Sequence, residues 1–440
     1  MNAARGPDKL LGRVLANAGL LLGGRTVNAL VSLAYIALAG RTLGVTTFGV
    51  LVLINAFAQF VGEVAKFQSW QTVLHFGATP FGEGRRADFQ RVVRFSLFLD
   101  VTSAIAGAAL GAVAVLFLGV HLGLPAEMSQ PAALYALSIV FLAPATPVGL
   151  LRLFDRFGVM SAQAAVGSVV RLIGGAIGFA TGASLGFFLA VWAAGTMAAF
   201  VYLALASYQE MRRRGLTANF AWRGPLTTGM PGAWRFAWAT NASSSLDVAF
   251  THVATLLVGA LLGPTQAALW RVARQVADAL AKPARLLIPA LYPELAKLHA
   301  TQGEAAMRRL ALHVGLVGGG GATALLLVTV LAGGPLLTLV MGRAFEPAAD
   351  TMTWQVAAAV IGVWALPLEP MLVSLGRPGA ALQVRVVVAI AFLVALFPLI
   401  DAFGITGAGI ALVCSSIAMG LGMLVSLRMS SAAAQDRPSN

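Results

Sequence analysis

The feature that most constrains this chain is a succession of long apolar runs, each bounded by a charged or Gly/Pro-rich break. Twelve can be marked, at approximately 17–40, 46–70, 95–120, 131–151, 159–181, 184–207, 237–262, 266–292, 310–333, 351–374, 380–400 and 404–427. A helix of about 20 apolar residues covers the ~30 Å hydrocarbon core of a bilayer. In lipid every backbone N–H and C=O must find a partner within the protein, which a run of that length does as a helix. Composition agrees: of 440 residues, 58% are hydrophobic and 11% charged, where a soluble domain carries about 25% charged residues. One soluble core of this size would lack the polar surface to cover it. A disordered chain, a disulfide scaffold and an ordinary soluble enzyme are excluded on the same count.

The expected fold is therefore all-α, a polytopic membrane protein of about 12 transmembrane helices. Residues 1–16 carry Arg5, Lys9 and Arg13 ahead of the first run. That run is longer than a signal-peptide core, so it reads as a retained helix. The single cysteine, Cys414, sits in an apolar run. It cannot form an intrachain disulfide and has no marks of a nucleophile or ligand. The net charge of +13 would raise nucleic acid in a soluble protein. Here it reads as topology, because basic loops stay in the cytoplasm, and no nucleic acid partner is expected.

The distribution of Lys and Arg tests the scheme. With the N-terminus in the cytoplasm, 20 of the 30 basic residues fall in inside segments, whereas only Arg41 and Arg343 fall outside. The remaining eight lie within spans. The eighth run is the most polar, with Arg271, Arg274, Asp278, Lys282 and Arg285. If it lay on the surface instead of crossing, Lys297, Arg308, Arg309, Arg377, Arg428 and Arg437 would all move outside. The count thus favours crossing and places both termini in the cytoplasm.

The chain also contains an internal repeat. Leu43-Gly44-Val45-Thr46 follows the first run, and Leu262-Gly263-Pro264-Thr265 follows the seventh, at an offset of 219. Gly84 and Gly303 share that offset, and Pro144-x-x-Pro147 matches Pro367-x-x-Pro370 at 223. Six spans per repeat give both halves the same orientation. Two six-helix lobes, 1–207 and 237–428, are then related by a pseudo-two-fold axis along the membrane normal. A basic cytoplasmic linker, 208–236, joins them, and 429–440 form a cytoplasmic tail. The paired prolines should kink spans four and ten.

Ionisable groups inside spans are costly and usually face a cavity. At about 100° per residue, Arg271, Arg274, Asp278, Lys282 and Arg285 fall within about 80° of one helix face. Asn55, Gln59, Glu63 and Lys66 form an equivalent face in span two, and at offset 219 they map onto Arg274, Asp278, Lys282 and Arg285. Arg25, Asn28 and Ser32 in span one match Ser244, Asp247 and Thr251 in span seven, with His252 beside them. Four helices, two from each half, can turn these faces toward one central cavity. Lys66 and Arg285, near span ends, fit snorkelling to the interface as well. The ionisable set holds Arg25, Lys66, Arg271, Arg274, Lys282 and Arg285 against Glu63, Asp247 and Asp278, a net +3. A cationic cavity suits an anionic cargo, and the guanidinium fork matches phosphate oxygens. Arg171, Asp100 and Glu369 stand apart from the repeated faces and read first as structural pairs or interface residues.

Several stretches carry a resemblance: Gly40-Arg41-Thr42-Leu43-Gly44 through Phe48-Gly49, then Leu269-Trp270-Arg271-Val272-Ala273-Arg274, then Pro293-Glu294-Leu295-Ala296-Lys297-Leu298, with Gly342-Arg343-Ala344-Phe345 and Ser374-Leu375-Gly376-Arg377. Over roughly residues 12–428 the chain resembles the polysaccharide transport family. These are the O-antigen and exopolysaccharide flippases of the multidrug/oligosaccharidyl-lipid/polysaccharide exporter superfamily. The resemblance implies a V-shaped pair of six-helix lobes that opens alternately to each side, with a cationic cavity for a diphosphate and sugars. It implies a cargo of undecaprenyl-diphosphate-linked oligosaccharide, with Arg25, Arg271 and Arg274 as head-group contacts. Flippases of the peptidoglycan precursor usually carry two further C-terminal helices, so that role is disfavoured by a twelve-span reading.

The leading expectation is a flippase of the bacterial inner membrane serving cell-surface polysaccharide biosynthesis. Its substrate contacts are Arg25, Asn28, Arg271, Arg274, Lys282, Lys66 and Arg285. Asp247, Asp278 and Glu63 are candidates for ion coupling. No enzymatic activity, catalytic group, metal or cofactor is expected, and the glycine loop of a nucleotide site is missing. Membrane lipids and the lipid-linked oligosaccharide are the expected partners, with a polysaccharide polymerase or other assembly proteins beside them. The alternatives are a cation- or proton-coupled multidrug or metabolite antiporter, which calls for a carboxylate-dominated cavity, and a non-transporting scaffold for glycan assembly.

Overall fold

The computed structural model describes the backbone of residues 7–285, 288–375 and 377–435, and the side chains of 28, 31–241, 252–279, 305–375, 377 and 379–429. The chain is all-α and polytopic. Its helices are α1 (Pro7–Ala65), α2 (Ser69–Gly82), α3 (Arg86–Leu118), α4 (Ser129–Ala136), α5 (Ala145–Leu153), α6 (Phe157–Thr181), α7 (Leu185–Arg213), α8 (Ala233–Leu262), α9 (Pro264–Arg285), α10 (Ile288–Met341), α11 (Ala348–Ala365), α12 (Leu368–Ser374) and α13 (Pro378–Gln435). Among the described residues, eight segments are long and apolar enough to cross a membrane. Two of them, Val31–Gly82 and Gly379–Met429, run to 52 and 51 residues, about twice what one crossing needs.

Both long segments bend at a glycine. Gly44 takes φ 72°, ψ 169° inside α1, and Gly404 takes φ 58°, ψ −140° inside α13. Only a residue without Cβ adopts such angles cheaply. Gly263, between α8 and α9, repeats the Gly44 conformation at φ 84°, ψ 177°. The motif seen twice in the sequence is therefore one backbone turn made twice. Two residues on, the copies meet: the hydroxyls of Thr46 and Thr265 lie 2.9 Å apart. Proline divides two other spans. Between α4 and α5 the chain passes through a 3-10 stretch, Leu137–Leu142, and breaks at Ala143–Pro144. Between α11 and α12 it breaks at Leu366–Pro367. Proline lacks an amide donor and its ring clashes with the preceding turn, so the breaks fall where the paired prolines predicted them.

The chain divides into two compact units, Met1–Ala267 and Ala268–Asn440. In the first, α6 packs on both α1 and α7, and α2 on α3 and α5. Phe89, Val93, Leu150, Phe154, Met211 and Leu216 form a core cluster at one end. In the second, α11 packs on α10 and α13, around Met307, Leu366, Met371, Leu372, Met423 and Leu427. Large apolar side chains also face outward, with Leu331 82% exposed and Phe117 75%. That is the pattern of helices solvated by lipid, where small residues let backbones approach. A Cβ on Gly167 of α6 would come within 3.0 Å of the Gly195 carbonyl of α7.

The segment 208–236 is pinned to the start of α3. The buried guanidinium of Arg94 donates to the carbonyls of Ala221 (2.7 Å), Arg223 (2.7 Å) and Pro225 (2.5 Å). Gln90 donates to Leu216 and Ala218 carbonyls, and Arg91 to that of Thr228. Met230, Ala233 and Ala237 then pack on Val92, Phe95 and Leu99. Nearby, the buried Glu210 carboxylate collects Arg156 at 3.0 Å, Arg213 at 3.4 Å and Arg214 at 3.8 Å. Several of the basic residues that read as topology signals therefore also hold the fold.

Candidate functional site

Each unit contains a polar cavity of its own. The cavity of the first unit, about 430 Å³, is walled by both arms of α1, by the break before α5, and by α6 and α7. Asn28, Ser32 and Tyr35 come from the first arm of α1; Gln59 and Glu63 come from the second, with Lys66 just past its end. The expected polar face of span two is brought together here, except for Asn55. That residue accepts a hydrogen bond from the Tyr135 hydroxyl at 2.9 Å and does not line the cavity. Lys66 donates to Glu63 at 2.5 Å, so these two neutralise one another. The Oδ1 of Asn28 is buried without a hydrogen-bond partner.

The cavity also holds a residue that sequence reasoning set aside. Arg171, on α6, projects into it beside Gly167 and Ser168. Its guanidinium donates to the Thr196 hydroxyl at 2.9 Å and lies 5.8 Å from the Tyr35 ring centroid and 5.9 Å from that of Trp192. Those two rings meet edge to face, 6.0 Å apart. Gly195 makes the room, since a Cβ there would fall 2.8 Å from Arg171 Cγ. Among the described residues no carboxylate pairs with Arg171, and its Nε has no hydrogen-bond partner. The guanidinium also donates to the Trp192 carbonyl at 3.5 Å; held by aromatic faces and two neutral acceptors, it keeps unused donors and an uncompensated charge. Arg171 reads from sequence as a structural or interface residue because it has no counterpart in the repeated polar faces. The signal that marks it is local: Gly167 and Gly175 stand four residues to either side on the same face of α6.

In the second unit, Arg274 and Asp278 line a smaller cavity of about 170 Å³ with Gln355, Gly362 and Ser416. Arg274 Nε lies 3.4 Å from Asp278. The buried Gln355 donates to the Trp270 carbonyl at 3.1 Å, tying α11 to α9, while its own carbonyl oxygen has no partner. A second hollow of about 480 Å³ shares Gly362, Leu366 and Ser416 with it and contains Glu369 and Arg385, which form an ion pair at 3.5 Å. Glu369, expected to be a structural pair, does pair, and it does so at a cavity wall. Arg271 is engaged in an interaction of its own and is not among the residues lining the Arg274 cavity. The side chains of Arg25, Asp247, Lys282 and Arg285 lie outside the described residues. Among the described residues no cluster of three or more His, Cys, Asp or Glu stands ready for a metal ion.

This fold is one that solved transporters share. The chain superposes on a multidrug resistance MATE family transporter of the MOP superfamily, solved in its inward-facing conformation. The TM-score is 0.75 at 13% identity, over 96% of this chain and 100% of that one. On the lipid II flippase MurJ, in its inward closed conformation, the TM-score is 0.69 at 10% identity, over 93% of this chain and 87% of that one. On a mutant of the MATE transporter VcmN of Vibrio cholerae, it is 0.60 at 15% identity, over 94% and 98%. No family model matches the chain. In sequence it is 32% identical over 339 residues to the inner membrane protein YghQ of Escherichia coli K12, across 77% of this chain and 95% of that protein. The chain belongs to the family of YghQ, the polysaccharide/oligosaccharide-flippase-like group that its sequence resembles. It is a multi-pass membrane protein.

Proposed function

We propose that the chain is a flippase that moves an undecaprenyl-diphosphate-linked oligosaccharide across the inner membrane by alternating access, for cell-surface polysaccharide biosynthesis. The observation that carries this reading is Arg171. It is a guanidinium in a polar cavity of the first unit, with free donors and no acidic partner among the described residues. Such a group suits a diphosphate, whose oxygens accept paired N–H bonds. Asn28 and Gln59, at the same cavity, offer amides to a sugar. Lys66 joins them on its Glu63 side, and Arg274 in the second unit would contact cargo only after releasing Asp278. Arg25, Arg271, Lys282 and Arg285 remain in the proposed substrate set, and Asp247, Asp278 and Glu63 in the proposed coupling set.

Twelve crossings in two six-helix lobes, 1–207 and 237–428, with both termini cytoplasmic, form part of the proposal. The bends at Gly44 and Gly404 support two crossings in each long segment. The matching turns at Gly44 and Gly263 support a repeated sequence unit. The lipid II flippase of similar fold makes a lipid-linked cargo compatible with this architecture. The deciding experiment deletes the gene and analyses lipid-linked intermediates. One undecaprenyl-linked oligosaccharide should accumulate on the cytoplasmic face, and re-expression of the wild-type chain but not of Arg171→Ala should clear it. An unchanged intermediate pool on deletion would overturn the assignment.

One observation favours a second reading, an ion-coupled multidrug or metabolite antiporter. Carboxylates line the cavities of both units: Glu63 in the first, Asp278 and Glu369 in the second. That reading predicts dye efflux that needs Asp278 or Glu369 and tolerates the loss of Arg171.

A further inference from the structure

Away from these cavities, the first unit buries a second polar cluster. Ser69 and Thr72 lie three residues apart on α2, and Ser96 and Asp100 four apart on α3, so each pair shares a helix face. Thr146 stands in the first turn of α5, just after the break at Pro144. The helices α2, α3 and α5 pack on one another, and all five residues are buried: Ser69, Ser96 and Thr146 at 0% exposure, Thr72 at 1% and Asp100 at 5%. The backbone N–H of Thr146 donates to Asp100 Oδ2 at 2.7 Å. This caps one exposed amide of α5 and accounts for that oxygen.

The other oxygens are unaccounted for. Asp100 Oδ1 and the hydroxyls of Ser69, Thr72, Ser96 and Thr146 have no hydrogen-bond partner. Elsewhere in this protein, Ser and Thr on helices return their hydroxyls to the preceding turn: Thr102 to Phe98, Thr196 to Trp192, Ser207 to Ala204 and Thr329 to Leu325. These four do not. The Ser69 and Thr146 hydroxyls are close enough to act on the Asp100 carboxylate, and so is the charge of Lys66, but Lys66 is held by Glu63. Neither hydroxyl completes a bond to Oδ1. Five oxygens without partners, one of them a carboxylate oxygen, are thus buried where α2, α3 and α5 pack, and buried polar groups normally have partners.

We propose that Asp100 and the hydroxyls of Ser69, Thr72, Ser96 and Thr146 form a binding site for one monovalent, sodium-like cation. An all-oxygen donor set selects a hard cation. A single carboxylate balances a single positive charge, whereas divalent ions recruit several acids, and no three-member acid cluster exists among the described residues. The broken helix before α5 supplies the irregular backbone that such sites use at membrane depth. Asp100 thereby does two things: Oδ2 fixes the start of α5, and Oδ1 anchors the ion.

The test uses the full chain purified in detergent and requires no transport, so it stands or falls apart from the flippase reading. Thermal unfolding is followed while NaCl replaces choline chloride at constant ionic strength, and sodium-22 binding is measured in parallel. A ligand that binds only the folded state raises its stability in a saturable way. Sodium should do so and choline should not. Asp100→Asn should lose both the shift and the bound isotope. Because that variant also disturbs the α5 cap, Ser96→Ala and Thr72→Val provide the independent arm: neither removes a hydrogen bond, and each should weaken sodium binding severalfold. Equal stabilisation by sodium and choline, or wild-type sodium affinity in Ser96→Ala and Thr72→Val, would overturn the proposal and leave water as the occupant.

Discussion

In the first unit Arg171 rests on the rings of Tyr35 and Trp192 and bonds a neutral hydroxyl. In the second, Arg274 lies 3.4 Å from Asp278 and Arg385 lies 3.5 Å from Glu369. The same cation is thus presented in two electrostatic settings. A paired arginine has spent its field on its neighbour, and an incoming anion must compete with that carboxylate. An arginine on aromatic faces keeps its field for a ligand, and in a partly desolvated cavity that field is far stronger than in bulk water. Among the described residues, the two cavities therefore differ in charge balance. The first cavity suits anion capture, and the second suits an exchange of partners.

The largest effect should follow from removing the unpaired charge. Arg171→Ala should abolish glycan export with normal membrane insertion. Arg171→Lys should restore only a minor part, because an ammonium cannot make the planar, two-pronged contact; accumulation of lipid-linked intermediates reads both. The double variant Arg271→Ala, Arg274→Ala tests the other side of the comparison. It should also impair export, and equal or greater loss than in Arg171→Ala would move the anion site to the second unit. Gly195→Ala should act on Arg171 by direct crowding. A Cβ would fall 2.8 Å from its Cγ and 2.9 Å from the Gly167 carbonyl, at a cost of about 1–3 kcal/mol from overpacking, visible as a lower melting temperature together with weaker export. In a double-mutant cycle on stability, Arg274→Ala and Asp278→Ala should couple by no more than about 1 kcal/mol, as befits a partly exposed pair. The smallest change belongs to Glu369→Gln, whose pair with Arg385 is over 40% exposed on both sides and whose stability should stay within about 0.5 kcal/mol of wild type.

Much of the fold was legible because its punctuation is chemical. The bends at Gly44 and Gly263 and the breaks at Pro144 and Pro367 are positions where the residue type dictates the backbone. The polar face of Gln59, Glu63 and Lys66 was legible because helical spacing alone puts them on one side. Asn55 shares that spacing, but packing handed it to Tyr135, and periodicity carries no information about a neighbour 80 residues away. Arg171 and Glu369 were illegible as cavity residues for a related reason. Each is one charge on an otherwise apolar face, and its surroundings exist only once α6 meets α7, or α12 meets α13. The hydroxyls around Asp100 were hidden more deeply, since Ser and Thr are common in membrane helices and these four are distinguished by lacking partners beside one buried carboxylate.

The stapling of 208–236 onto α3 bears on how this chain can be altered. Arg94 reads three alternate carbonyls, Ala221, Arg223 and Pro225, like teeth of a key. One inserted residue between 218 and 228 would shift that register and strand a buried guanidinium. Fusion tags, protease sites and split-gene junctions placed there should be poorly tolerated, although charge and composition make the segment look like an ordinary connector. The stretch between the repeats is better regarded as a fitted part of the first unit than as slack between two halves.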